Sequence, residues 1–160
     1  MRLKGIIGTI ALIFTVLGCK EPVKDYSYMN LNRLHGWKGD TGITLEFDIT
    51  DTLVPYEIYI VGEIVAKRSL ENRGSYPVNI LLTAPDSTVY TDTIKLPLHI
   101  KENGSNTKRH HGIREIEWPY RKNIYNTKPG RWSVTFTKGD TLEDYSNIIG
   151  LGIHCKQQTQ

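Results

Sequence analysis

The sequence predicts an all-β protein, an antiparallel β-sandwich of about seven to nine strands with jelly-roll or immunoglobulin-like character. Three observations predict it. From Ile43 onward apolar and polar residues alternate with a period of two, as they do in strands with one core face and one solvated face. Turn-forming clusters break that alternation at short intervals. No window carries a helical apolar stripe, although residues 142–148 have room for one turn.

The elements follow in order. Ile43, Leu45, Phe47 and Ile49 alternate with Thr44, Glu46, Asp48 and Thr50, and residues 51–55 are turn chemistry. Tyr56, Ile58, Ile60, Gly62 and Ile64 carry the next strand, with Tyr59, Val61 and Val65 on its other face. After a charged break at residues 68–75, Tyr76, Val78, Ile80 and Leu82 resume the pattern, and Pro85-Asp86-Ser87 turns the chain. Residues 89–100 are β-rich, with Ile94, Leu96, Leu98 and Ile100 in phase. Residues 101–111 are polar and basic, contain Gly and Asn, and are expected to form a long loop. A weaker strand at 113–120 is confined by Pro119 to an edge or to its own end. Residues 123–128 read as irregular. Pro129-Gly130 then launches Trp132, Val134 and Phe136, with Pro fixing φ and Gly permitting φ > 0. A last strand spans about residues 147–155.

The N-terminus carries the most specific signal. Arg2 and Lys4 precede a short apolar run that closes on Val16-Leu17-Gly18-Cys19. The run is too short to span a bilayer, which takes roughly 20 residues, and it reads as an export signal. An aliphatic residue at −3 and a small residue at −1 before Cys form a bacterial lipobox. The Cys19 thiol would accept a diacylglyceryl group, Gly18 would admit the peptidase, and the new N-terminus would be acylated, for instance with palmitate. The alternative is a buried N-terminal helix ending at Gly-Cys. The lipobox reading divides the chain into a removed signal (1–18), a lipidated N-terminus and tether (19–40), and a β-sandwich domain (41–157). Trp37 suggests that the last third of the tether is docked on the domain. Lys20-Glu21 after the anchor, with no Asp at +2, points to the outer membrane without fixing the face.

Loss of Arg2 and Lys4 with the signal lowers the formal charge from +3 to +1. A near-neutral chain argues against nucleic acid as a partner, since phosphate binding rests on a basic surface. With Cys19 acylated, Cys155 stands alone at the end of the apolar alternation of Ile149, Leu151 and Ile153, where it is expected to be a small buried hydrophobe.

No catalytic constellation is legible: there is no nucleophile elbow, zinc-protease motif or phosphate-cradling loop. Glu115 and Glu117 share a strand face and could serve glycoside hydrolysis, but a solvated face explains them as well. His110 and His111, with His35 or His99, show no spacing that would make ligands converge on a metal. The segment from Trp118 through Tyr120, Arg121 and Lys122 to Tyr125 is dense in aromatics and cations. Exposed, Trp118, Tyr120, Arg121 and Tyr125 would contact a glycan or a protein partner; otherwise Trp118 and Tyr125 sit in the core or on its rim. No cofactor, metal or catalytic residue is expected.

In order, Cys19, Phe47-Asp-Ile-Thr-Asp51-Thr52, Pro55-Tyr56-x-Ile58-Tyr59, Tyr76-Pro-Val-Asn79-Ile80, Pro85-Asp86, Asp92-Thr93, Leu96-Pro-Leu98, Gly130 before Trp132, and Ile149-Gly150-Leu151-Gly152-Ile153 resemble the gliding-motility lipoprotein GldH family of Bacteroidota. The chain departs from that pattern at residues 101–111, which are basic and lack a Trp. The resemblance implies a non-enzymatic accessory lipoprotein of the cell envelope. It would support gliding motility or type IX secretion machinery through protein partners, held to the membrane by its N-terminal lipid. A glycan-binding sandwich lipoprotein is the alternative.

Overall fold

The computed structural model describes residues 23–65, 74–97, 106–110, 112–125, 127–140 and 144–158, with 106–110 described by their backbone. Cys19, the signal segment, His99, His111 and residues 101–105 and 141–143 lie outside them. The described residues form nine strands and no helix: β1 (Tyr26–Asn30), β2 (Ile43–Ile49), β3 (Tyr56–Val65), β4 (Ser75–Thr83), β5 (Val89–Pro97), β6 (Asn106–His110), β7 (Ile113–Ile124), β8 (Gly130–Lys138) and β9 (Ile148–Gln157). They build two antiparallel sheets, β1-β9-β3-β7-β6 and β2-β8-β4-β5. This is the antiparallel sandwich that the alternation predicts.

The alternation sets which side chains enter the space between the sheets. Phe47, Ile49, Ile80, Leu96, Val134 and Phe136 enter from the four-stranded sheet, and Ile58, Ile60, Ile64, Ile116, Leu151 and Ile153 from the other. At the end farthest from Val23, Trp37 and Tyr76 pack on Tyr145, with ring centroids 5.6 and 4.7 Å apart. Trp37 is buried, so the stretch before β2 is docked as its aromatic suggests. Cys155 is buried as well, and burial, with a smaller contribution from Asp25, pushes its thiol up to about 12. It packs as a hydrophobe and stays protonated.

The structure corrects the sequence reading in three places. Tyr26–Asn30, inside the stretch read as tether, is edge strand β1, so the folded domain begins well before residue 41. Its fit depends on β9, where the Tyr28 ring lies across Gly150 and Gly152. A Cβ at Gly150 would fall 1.6 Å from the Tyr28 hydroxyl. Second, residues 106–110 of the expected loop are β6, paired with the first half of β7 from Asn106↔Glu117 to His110↔Ile113. Third, β7 runs on to Ile124, through residues read as the start of an irregular segment. Pro119 lies beyond the reach of β6, in the half of β7 with one described neighbour, where its missing N–H breaks no described ladder bond. Gly130 adopts φ +122°, the turn conformation expected of it before β8.

Candidate functional site

Between the sheets, at the end where the described chain begins, a cleft of ≈ 340 Å³ opens between β5 and the second half of β7. Its floor is the edge of the core: Phe47, Ile49, Ile58, Leu82, Ile124 and Trp132. Its mouth carries Tyr90, Asp92, Tyr120, Arg121, Tyr125 and Lys128.

Two irregularities in β7 shape the mouth. The β3–β7 register shifts between Tyr56 and Ile58 and again between Ile58 and Tyr59. Ile58 pairs with Arg121 and Tyr59 with Pro119, which leaves Tyr120 as the extra residue of a bulge. A bulge re-aims side chains that a regular strand would send to opposite faces. Here it lets neighbours Tyr120 and Arg121 reach one carboxylate: the Tyr120 hydroxyl donates to Asp92 Oδ2 at 3.2 Å and the Arg121 guanidinium at 2.6 Å. Arg121 also lies 5.0 Å from the Tyr120 ring centroid, a cation–π distance. Burial, and after it the Asp92 charge, raises the Tyr120 phenol above its ordinary value, so Tyr120 stays a donor. Asn123, at φ 53°, bends the strand again before Tyr125.

The opposite wall is an aromatic column. Phe47 and Trp132 stack with centroids 6.3 Å apart and 18° between planes, and Tyr90 stacks on Trp132 at 6.3 Å and 21°. The Trp132 indole donates to the Lys128 carbonyl at 2.9 Å, which ties the β7–β8 loop to the column. The Lys128 ammonium bonds Asp86 and, at 3.1 Å, the Thr88 hydroxyl. Lys128 draws the Asp86 carboxyl down to about 2 and is itself raised by that bond. Both charge pairs at the mouth are thus closed on themselves. The Thr127 hydroxyl is buried in the cleft wall, and no group among the described residues hydrogen-bonds it.

Three of the four residues singled out in the sequence, Tyr120, Arg121 and Tyr125, come together here. Trp118 does not. It packs half-buried against the core, its ring tilted 36° from Tyr120 with centroids 6.5 Å apart, so the two form no flat platform. Sequence reasoning missed Phe47, Tyr90, Thr127 and Trp132 as site residues, and Asp92. Asp92 carries the one available signal: it stands in the apolar register of Ile94 and Leu96 on β5, where a carboxylate needs a partner.

Glu115 and Glu117 lie on the outer face of the five-stranded sheet. Burial alone would raise the Glu117 carboxyl, but bonds from Lys156 and His154, at 2.7 and 2.9 Å, bring it below its ordinary value. A glycosidase acid needs the opposite shift. His110 is part of β6, His35 is exposed, and among the described residues no group of three His, Cys, Asp or Glu is placed to hold a metal.

No protein-family model matches the chain, and comparison with curated proteins and with solved structures finds no similar protein.

Proposed function

We propose that this chain is a non-enzymatic lipoprotein of the cell envelope, anchored through Cys19, that docks onto an envelope protein at the cleft between β5 and β7. The lipobox and the likeness to gliding-motility lipoproteins support the anchor and the setting, at the outer membrane. The observation that carries the docking is the cleft itself: an apolar floor open to the side, ringed by charges that neutralise one another. Such a mouth favours an uncharged apolar anchor side chain and offers the Thr127 hydroxyl for one polar bond. The partner belongs to accessory machinery of the gliding or type IX secretion kind.

The half-exposed rings of Tyr90 and Tyr125 favour a second reading, a glycan stacked at the mouth. Sugar hydroxyls pressed onto Ile49, Ile58 and Ile124 would lose their water bonds without replacement, which sets this reading second.

A photo-crosslinking residue at Tyr125, introduced in growing cells, is expected to trap one envelope protein, whereas the same residue at Leu34 traps none. Equal labelling at both positions, or no protein adduct at Tyr125, would overturn the docking.

A further inference from the structure

We infer that the end of the sandwich carrying the cleft rests on the bilayer surface, so that the domain is seated on the membrane and not held away from it. The inference depends on lipidation at Cys19. Val23, where the described residues begin, lies four residues after Cys19, and a fully extended chain covers at most about 14 Å over those four steps. Lys24 is already fixed to β2: its carbonyl accepts the Asp48 amide at 2.7 Å, and its amide donates to Asp48 Oδ2 at 3.0 Å. The domain therefore begins within about 14 Å of the lipidated residue, within reach of the headgroup layer.

The surface at that end fits the same neighbour. Val23, Tyr26, Leu53, Val89, Tyr90 and Tyr125 are six of the nine exposed large apolar residues among those described. They sit on the entering chain, the starts of β1 and β5, the β2–β3 turn and the β7–β8 loop. Register places these together: Tyr56 pairs with both Ile124 and Gln157, Ile49 with Gly130, and Thr83 with both Val89 and Ser133. Leu53 is 91% exposed at the tip of its turn and Tyr125 62%. Tyrosine and leucine at loop tips suit the bilayer interface, where one part of a side chain meets hydrocarbon and another meets water. The cations of this end are largely closed in pairs, Lys24 with Glu46, Arg121 with Asp92, Lys128 with Asp86 and Arg131 with Asp48. Contact should then rest on apolar insertion and vary little with salt. The cleft opens at the side of this end, facing a neighbour in the same membrane.

The test uses the full lipidated chain in nanodiscs of phosphatidylethanolamine and phosphatidylglycerol containing a doxyl-labelled lipid. Leu53→Cys, Tyr125→Cys and Leu34→Cys are each labelled with bimane; buried Cys155 is left unlabelled in the folded protein. Quenching is expected to be several-fold stronger at 53 and 125 than at 34, and nearly the same at 50 and 500 mM salt. Leu53→Asp is expected to weaken quenching at 125. Equal, weak quenching at all three positions would overturn the seating and leave the docking cleft standing. A mass spectrum showing Cys19 without acyl chains would overturn both the seating and the lipoprotein reading.

Discussion

The two lateral seams of this sandwich are built differently. On one side the residues just before β1 bridge the two sheets by backbone: the Lys24 carbonyl accepts the Asp48 amide of β2 and the Asp25 carbonyl the Cys155 amide of β9, each at 2.7 Å. Within the four-stranded sheet, Arg131 Nε of β8 donates to the same Asp48 carboxylate at 3.0 Å and holds it in place. On the other side, among the described residues, side chains alone reach between β5 and β7, with Tyr120 and Arg121 on Asp92. The closed seam spends its polar groups on the fold. The open one leaves an apolar cleft rimmed by the half-exposed rings of Tyr90 and Tyr125.

The largest effect should separate the inner and outer ends of the aromatic column. Phe47 is fully buried and belongs to the core as well as to the cleft floor, so Phe47→Ala should destabilise by about 3–5 kcal/mol in urea unfolding. Tyr90→Ala, at the outer end, should cost about 1 kcal/mol or less, because half its surface is already in water. Similar losses would mean that the mouth is as much a part of the core as the floor.

The seam carboxylates come next. Asp48→Ala removes the partner of the Lys24 amide and of Arg131, and should cost about 1–3 kcal/mol. Asp92→Ala should cost about 1 kcal/mol or less, as surface ion pairs do. A difference of the opposite sign would reverse the assignment of the seams. Acid should act on the closed seam too. The Arg131 bond, opposed by burial and helped by Lys24, holds the Asp48 carboxyl below its unfolded value of 3.8. Its contribution is therefore complete above about pH 4–5 and lost as pH falls through the lower folded value. Urea midpoints of the wild type should fall in that window, and Asp48→Asn should flatten the fall.

The smallest effect is expected at Thr127. Since no group among the described residues hydrogen-bonds its hydroxyl, Thr127→Val should leave stability unchanged within about 0.5 kcal/mol or raise it slightly, while weakening the Tyr125 crosslink.

Much of this fold was legible in the sequence, because half-buried strands advertise themselves by alternation: β2, β3, β4 and β8 fall where Ile43, Tyr56, Tyr76 and Trp132 begin their runs. β1 escaped because its partner surface is made by glycines. Tyr26 and Tyr28 alternate, but the room for Tyr28 is made by Gly150 and Gly152, far along the chain. β6 escaped because Asn, Thr, Lys, Arg and His carry no apolar period. The cleft was half legible. Tyr120, Arg121 and Tyr125 stand close together in sequence, whereas Phe47, Tyr90 and Trp132 reach them only through sheet packing, and the bulge at Tyr120 leaves no mark in composition.

The central claim is that the open seam is where the molecule meets its partner. Amide hydrogen exchange on the lipidated chain, in native envelope membranes and in nanodiscs without other protein, tests it directly. Residues 89–92 and 120–125 are expected to exchange more slowly in native membranes, with β1 and β2 unchanged between the two. Equal exchange at the open seam in both settings, or new protection confined to β1 and β2, would contradict the account.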